Sequence, residues 1–218
     1  MPSYLTDAKS THKSEFLPEL LNLAYRVQYV TQEGPYMVEA GSDYVLKMVA
    51  LGDGAVGKTS CIMRYTENRF GEQYKATIGT SIAVKNVVVK IKGRTRNAQI
   101  VLWDLAGQPT YRDLRQRYMV GSSMAFLVYD VTRPSTFLSL DDWYKNFHKV
   151  CPDAIVALVA NKVDREDRLV PTEAGEMLQK WLGVLYLETS ARTGQNINAL
   201  FEKCAEMAIR RELDRETK

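Results

Sequence analysis

The chain has 218 residues, 45% hydrophobic and 25% charged, a balance that suits one large domain, or a domain with an extension, around a buried core. Lys and Arg number 29 against 26 Asp and Glu, for a net charge of +3, too slight an excess to argue for nucleic-acid binding. Cys61, Cys151 and Cys204 have no metal-ligand spacing and read as reduced, buried thiols of a cytoplasmic protein. No apolar run reaches the length of a membrane span, and Met1-Pro2-Ser3-Tyr4 lacks the charged and apolar regions of a secretory signal.

Residues 1–40 read as an N-terminal extension. Met1 to Ser14 is polar and aperiodic; Leu17, Leu20, Leu21, Ala24 and Val27 then recur at three- and four-residue spacing, which predicts one amphipathic helix ending near Thr31. The polar joint Gln32-Glu33-Gly34-Pro35 follows and sets off a main domain over 41–218. Arg26 is the one cation between Ser14 and Gln32. The apolar face is therefore expected to dock on protein, either the parent domain or a partner in a dimer or effector surface, rather than on a membrane surface.

Asp43 to Leu51 reads as a buried strand that runs into Gly52-Asp53-Gly54-Ala55-Val56-Gly57-Lys58-Thr59-Ser60, spaced as G-x-x-x-x-G-K-[ST], with a helix opening at Thr59. Glycines at 52, 54 and 57 let the backbone turn its N–H groups onto an anionic polyphosphate. Lys58 supplies the charge for the outer phosphates, and Thr59 a hydroxyl for a magnesium ion. Asn68 to Gly79 is polar without a period and reads as an exposed loop. Strands are predicted over Ser81–Ile91 and Ala98–Trp103, joined by a solvated basic turn, Lys92 to Asn97. At the second strand's end, Asp104 is placed to hold a magnesium-bound water, Gly107 to offer its N–H to a terminal phosphate, and Gln108 to orient an attacking water.

A helix over Tyr111–Tyr118, an apolar strand over Met124–Asp130 and one helix over Ser135–Lys149, with Trp143 assigned to the core, come next. The strand Ala154–Ala160 then delivers Asn161-Lys162-Val163-Asp164. The two oxygens of Asp164 match the ring N–H and exocyclic amine of guanine, a donor pair that adenine lacks. Asn161 is expected to brace the loop and the Lys162 stem to cover one face of the base. After a helix over Pro171–Leu182 and a strand over Val184–Glu188 comes Thr189-Ser190-Ala191-Arg192, whose small residues let a backbone N–H reach the guanine carbonyl. A last helix runs from Ile197 toward Glu212. The alternation predicts an α/β fold: a doubly wound, mostly parallel six-stranded sheet flanked by helices, its ligand at the carboxyl ends of the strands.

With these blocks in order, Gly52 to Ser60, Thr77-Ile78-Gly79, Asp104 to Gln108, Asn161 to Asp164 and Ser190-Ala191, the chain from Asp43 to Ile209 resembles the Ras superfamily of small GTPases, in its Rab- and Ras-like branches. Tyr129-Asp130-Val131-Thr132 with Phe137 and Trp143 adds to the Rab likeness. The resemblance implies a P-loop G domain in which Thr77 binds magnesium and the γ-phosphate, Tyr74 closes over the phosphates and Phe70 meets the guanine ring opposite Lys162. It implies a switch that binds GTP and GDP with magnesium and slowly hydrolyses GTP. Loops 68–79 and 105–118 would meet effectors, exchange factors and GTPase-activating proteins, in signalling or membrane trafficking, in the cytoplasm and peripheral to a membrane.

Several positions depart from the family pattern. Pro109 follows Gln108 where an acidic residue is usual and biases Gln108 away from helical backbone, which supports an alternative, a nucleotide-binding scaffold with little turnover. Leu105 and Ser81-Ile82 differ from the usual Rab residues. Arg192 replaces a lysine and is expected to matter little, because the base is read there by backbone. No arginine of the chain is identifiable as a catalytic finger, and the tail after Arg210 shows no prenylation cysteine.

Overall fold

The computed structural model describes residues 30–31, 34–35, 41–71, 77–107 and 112–217. Inter-residue contacts divide the chain into two units, residues 1–40 and 41–218. In the first, Val30–Thr31 pairs antiparallel with Gly34–Pro35, so Val30 and Thr31, at the expected end of the predicted helix, are extended. Two successive β-branched residues favour the extended backbone there. The rest of that predicted helix lies outside the described residues, as do Tyr74, Gln108 and Pro109.

The second unit is built on six strands: β1 (Tyr44–Leu51), β2 (Thr80–Ile91), β3 (Arg94–Leu105), β4 (Met124–Asp130), β5 (Ile155–Asn161) and β6 (Leu185–Thr189). Their order is β2-β3-β1-β4-β5-β6. Every neighbouring pair is parallel except the β2–β3 hairpin. Helices α1 (Lys58–Glu67) and α6 (Ile197–Glu216) cover one face; α2 (Arg112–Met119), α3 (Pro134–Leu138), α4 (Leu140–Val150) and α5 (Thr172–Leu182) cover the other. Because both faces are covered, β1 sends Leu46, Met48 and Ala50 to one core and Val49 and Leu51 to the other, which is why it reads as continuously apolar from Met48 to Leu51. The rings of Tyr65 on α1 and Phe201 on α6 stack at 4.1 Å.

Two expectations are corrected. The turn between β2 and β3 is Lys92-Gly93 alone, with φ of 49° and 75°. Two successive left-handed residues match the right-handed twist of the flanking strands, so Arg94 to Asn97 extend β3 instead of forming a loop. The helix expected over Ser135–Lys149 breaks at Ser139 into α3 and α4. Its hydroxyl is engaged at the site described next.

The topology carries the functional blocks to one edge. In register, Asp104 lies beside Ala50, Asn161 beside Asp130, and Thr189 beside Asn161. The carboxyl ends of β1, β3, β4, β5 and β6 thus meet at the same end of the sheet.

Candidate functional site

The loop from Gly52 to Gly57 follows β1 and opens α1. All six of its carbonyl oxygens accept a hydrogen bond. Lys58 Nζ donates to Gly52 O at 2.8 Å and Asp53 O at 2.7 Å. Arg133 donates to Gly54 O and Lys162 Nζ to Ala55 O, both at 2.9 Å. Asn161 Nδ2 donates to Val56 O at 2.8 Å, and the Cys61 N–H to Gly57 O at 2.9 Å. With its acceptors engaged, the loop keeps its carbonyl dipoles occupied, while the first-turn N–H groups of α1 have no partner within the helix. No acidic residue sits in that first turn, so the helix end favours an anion.

Close packing fixes this shape. A Cβ at Gly52 would lie 2.3 Å from Val128 O, one at Gly57 2.2 Å from Asn161 Nδ2, and one at Gly107 2.5 Å from the Asp53 carbonyl. Gly107 therefore rests directly on the loop backbone. The two cations beyond the loop share one anchor: Asp130 Oδ2 accepts from Lys162 Nζ at 2.6 Å and from Arg133 Nε at 3.0 Å. Burial raises the Asp130 pKa, but the bonds from Lys162 and Thr132 outweigh it and leave the carboxyl below its ordinary value.

Three oxygen-bearing side chains meet beside the loop. Asp104, only 2% exposed, accepts through Oδ2 from Thr59 Oγ1 and, at 3.4 Å, from Thr77 Oγ1; the two hydroxyls are 2.9 Å apart. Asp104 Oδ1 is buried and has no hydrogen-bond partner among the described residues. Burial raises the Asp104 pKa, and the Thr59, Lys58 and Thr77 contributions only partly offset it. A hard dication suits this set: all donors are oxygens, one carboxylate oxygen is orphaned, and a positive charge would relieve the buried anion.

At the other end, Asn161 is fully buried and links three segments: besides Val56, its Oδ1 accepts from Thr189 Oγ1 at 3.2 Å and from the Ala191 N–H at 3.3 Å. Asp164 Oδ1 accepts from Ser190 Oγ at 2.5 Å, and Asp164 Oδ2 lies 3.0 Å from Arg192 Nε. The arginine that sequence reasoning made incidental thus pairs with the carboxylate expected to read the base.

A cleft of about 570 Å³ joins the two ends. Of the predicted residues, Gly54, Ala55, Gly57, Lys58, Thr59, Ser60, Phe70, Thr77, Gly107, Asn161, Lys162, Asp164, Ala191 and Arg192 line it; so do Met63, Gly71 and Arg165, which were not predicted. Val56, Ser190 and Asp104 lie buried behind the wall. Asp53 faces elsewhere, its carboxylate accepting from Ser139 Oγ and Trp143 Nε1, each at 2.9 Å.

The sequence pattern of the Ras family matches residues 47–210. The chain belongs to the Ras family. Its relatives are Rab-related: the Ras-related protein RABA1b of Arabidopsis thaliana is 40% identical over 168 residues, 76% of each chain. The Ras-related protein SEC4 of Saccharomyces cerevisiae is 35% identical over 166 residues, 76% of this chain and 75% of its own. RABE1e of Arabidopsis thaliana is 33% identical over 187 residues, 84% of each. For a Rab-like member of the Ras family, the most informative residues that sequence reasoning left out are Arg133, Ser139 and the polar role of Trp143. Trp143 is core, as expected, and also holds Asp53. Arg64 is another omission, its guanidinium donating to Ala191 O at 2.9 Å and Arg192 O at 2.7 Å. A cation placed for a backbone carbonyl leaves no spacing signature.

Proposed function

We propose that this chain is a guanine-nucleotide switch that binds GTP and GDP with magnesium and hydrolyses GTP slowly. One observation carries the reading: a single cleft is lined at one end by Lys58 and Thr59 of the loop and at the other by Asp164. A polyphosphate and a base are the two ends of one nucleotide. The loop N–H groups and Lys58 bind the phosphates, Asp164 takes the ring N–H and amine of guanine, and Phe70 and the Lys162 stem flank the ring. Thr59, Thr77 and Asp104 would hold magnesium, which supplies charge neutralisation at the β- and γ-phosphates. Tyr74 closes over the phosphates, Gly107 meets the terminal one, and Gln108 orients the attacking water. Loops 68–79 and 105–118 then present different surfaces to effectors, exchange factors and GTPase-activating proteins in the two states.

We also place the protein in the cytoplasm, at work in membrane trafficking and peripheral to a membrane. This reading rests on the match to the Ras family and on the Rab-related relatives; no helix among the described residues is long and apolar enough to cross a membrane.

Single-turnover hydrolysis of bound GTP with magnesium, in the parent and in Gln108→Leu, tests the chemistry. The leucine variant is expected to bind GTP as tightly and convert it more slowly, because it cannot orient the attacking water. Equal turnover in both chains overturns the role of Gln108. GTP that stays intact in the parent favours the non-hydrolysing scaffold.

A further inference from the structure

We infer that Arg64 is a positioning residue of the base end: it sets the Ala191–Arg192 peptide as the donor to the 6-oxo group of guanine and ties that peptide to the segment bearing Phe70. The inference rests on the guanine-nucleotide reading above. Each of the three guanidinium nitrogens has an acceptor. Nε donates to Ala191 O at 2.9 Å and Nη2 to Arg192 O at 2.7 Å. Nη1 donates to Asn68 O at 3.0 Å and to Asn68 Oδ1 at 3.3 Å.

In a planar trans peptide the C=O and the N–H point in opposite directions. With the Ala191 carbonyl drawn to a cation, the N–H at the other end of that peptide, which belongs to Arg192, is turned away from Arg64. It has no acceptor among the described residues. The donors on either side are spent: the Ala191 N–H goes to Asn161 Oδ1 and the Thr193 N–H to Ser190 Oγ. Ala191 and Arg192 both line the cleft, and Arg64 does not, so the open donor stands at the wall and is held from outside it. The same residue also closes α1. Its carbonyl accepts the Asn68 N–H at 3.1 Å while its side chain holds the Asn68 carbonyl. Asn68 ends the helix in a left-handed turn, φ 53°, and Phe70, two residues on, lines the cleft. One side chain thus fixes both the donor for the edge of the base and the start of the segment proposed to flank its ring. A lysine here would keep the charge on one compact nitrogen, without the fork that reaches three carbonyls.

The test measures dissociation constants of GDP and of 6-thioguanosine diphosphate with magnesium for the nucleotide-stripped full-length chain, in the parent, Arg64→Ala and Arg64→Lys. Arg64 is not among the core residues, so both variants are expected to fold. Sulfur is a weak acceptor, so the thio analogue keeps its contacts to Asp164 and largely forgoes the bond from the peptide. The parent should therefore prefer GDP. Arg64→Ala is expected to weaken GDP by about tenfold, the order of one hydrogen bond to a charged group, and the thio analogue by less, so that the preference shrinks. Arg64→Lys should resemble the alanine variant, because the fork and not the charge holds the peptide. An equal loss for both ligands is what general loosening of the fold produces and overturns the inference; so does an unchanged GDP affinity in Arg64→Ala, or a lysine variant that matches the parent. A parent that binds both ligands equally well removes the peptide donor while its GDP binding stands. A parent that binds no GDP overturns the proposed function and the inference together.

Discussion

Lys47 on β1 is only 6% exposed, with Nζ 2.7 Å from Val120 O and 4.4 Å from the centre of the Trp103 ring. Burial lowers its pKa from 10.5 to about 8. Below pH 8 the ammonium is charged in folded and unfolded chains alike, so the cost of burying the charge is fully present. Between that pH and the unfolded value near 10.5, only the unfolded chain keeps the proton, and stability rises with pH. At 1.36 kcal/mol per unit the gain is about 3 kcal/mol. Lys47→Met removes this dependence: denaturant midpoints of variant and parent should differ by a constant amount below pH 8 and converge toward pH 10.5. A gap that stays constant across the range shows that the amine is not held at a depressed pKa. At this scale the sequence is legible where spacing fixes chemistry, as in Gly57-Lys58-Thr59. It is silent where a long side chain finds a distant carbonyl, as Arg133 finds Gly54 across 79 residues.

Among elements, the break at Ser139 matters most to the site. The stretch from Phe137 to Phe147 has helical periodicity throughout, so its pattern predicts one helix. The interruption comes from the turn that seats Ser139 and Trp143 against Asp53, a contact between segments far apart in sequence. The start of β3 was hidden differently, because Arg94-Thr95-Arg96-Asn97 is polar while its backbone continues the ladder. Strands β1, β4 and β5 were legible because each is an apolar stretch that stops at a glycine, a carboxylate or an amide: Gly52, Asp130 and Asn161. Trp143→Phe keeps the ring packing and removes the indole donor from Asp53 Oδ1. We expect a loss of about 1–3 kcal/mol, the usual cost of a hydrogen bond to a charged group, and faster GDP release. Thermal melts and nucleotide-chase kinetics measure both, and a variant unaltered in either shows that α4 does not steady the loop.

Across the whole molecule, stability and ligand are linked. Nucleotide bound at 100 times its dissociation constant stabilises a fold by about 2.7 kcal/mol, or about 5–10 °C in Tm for a unit of this size. Stripping magnesium with a chelator should lower Tm by a similar amount, and Asp104→Asn should abolish that sensitivity. A chelator-insensitive Tm in the parent would remove the metal from the account. Every residue assigned to the site falls within 41–218. We therefore propose that residues 1–40 modulate the switch and do not build it. Their deletion should leave GDP binding intact and change the exchange rate, Tm or oligomeric state; loss of binding places part of the site in the extension, and no change in any of the three makes it inert.

The saturated carbonyls of the Gly52–Gly57 loop have a wider consequence. Water around a polyphosphate must reorient its dipoles each time charge shifts from one oxygen to another, and that reorganisation is a large part of what makes such reactions slow. In the proposed phosphate site the role of the solvent shell would fall to peptide groups whose far ends are already bound by Lys58, Arg133, Lys162 and Asn161. The loop is in effect a hydration shell frozen in one orientation, set when the chain folds.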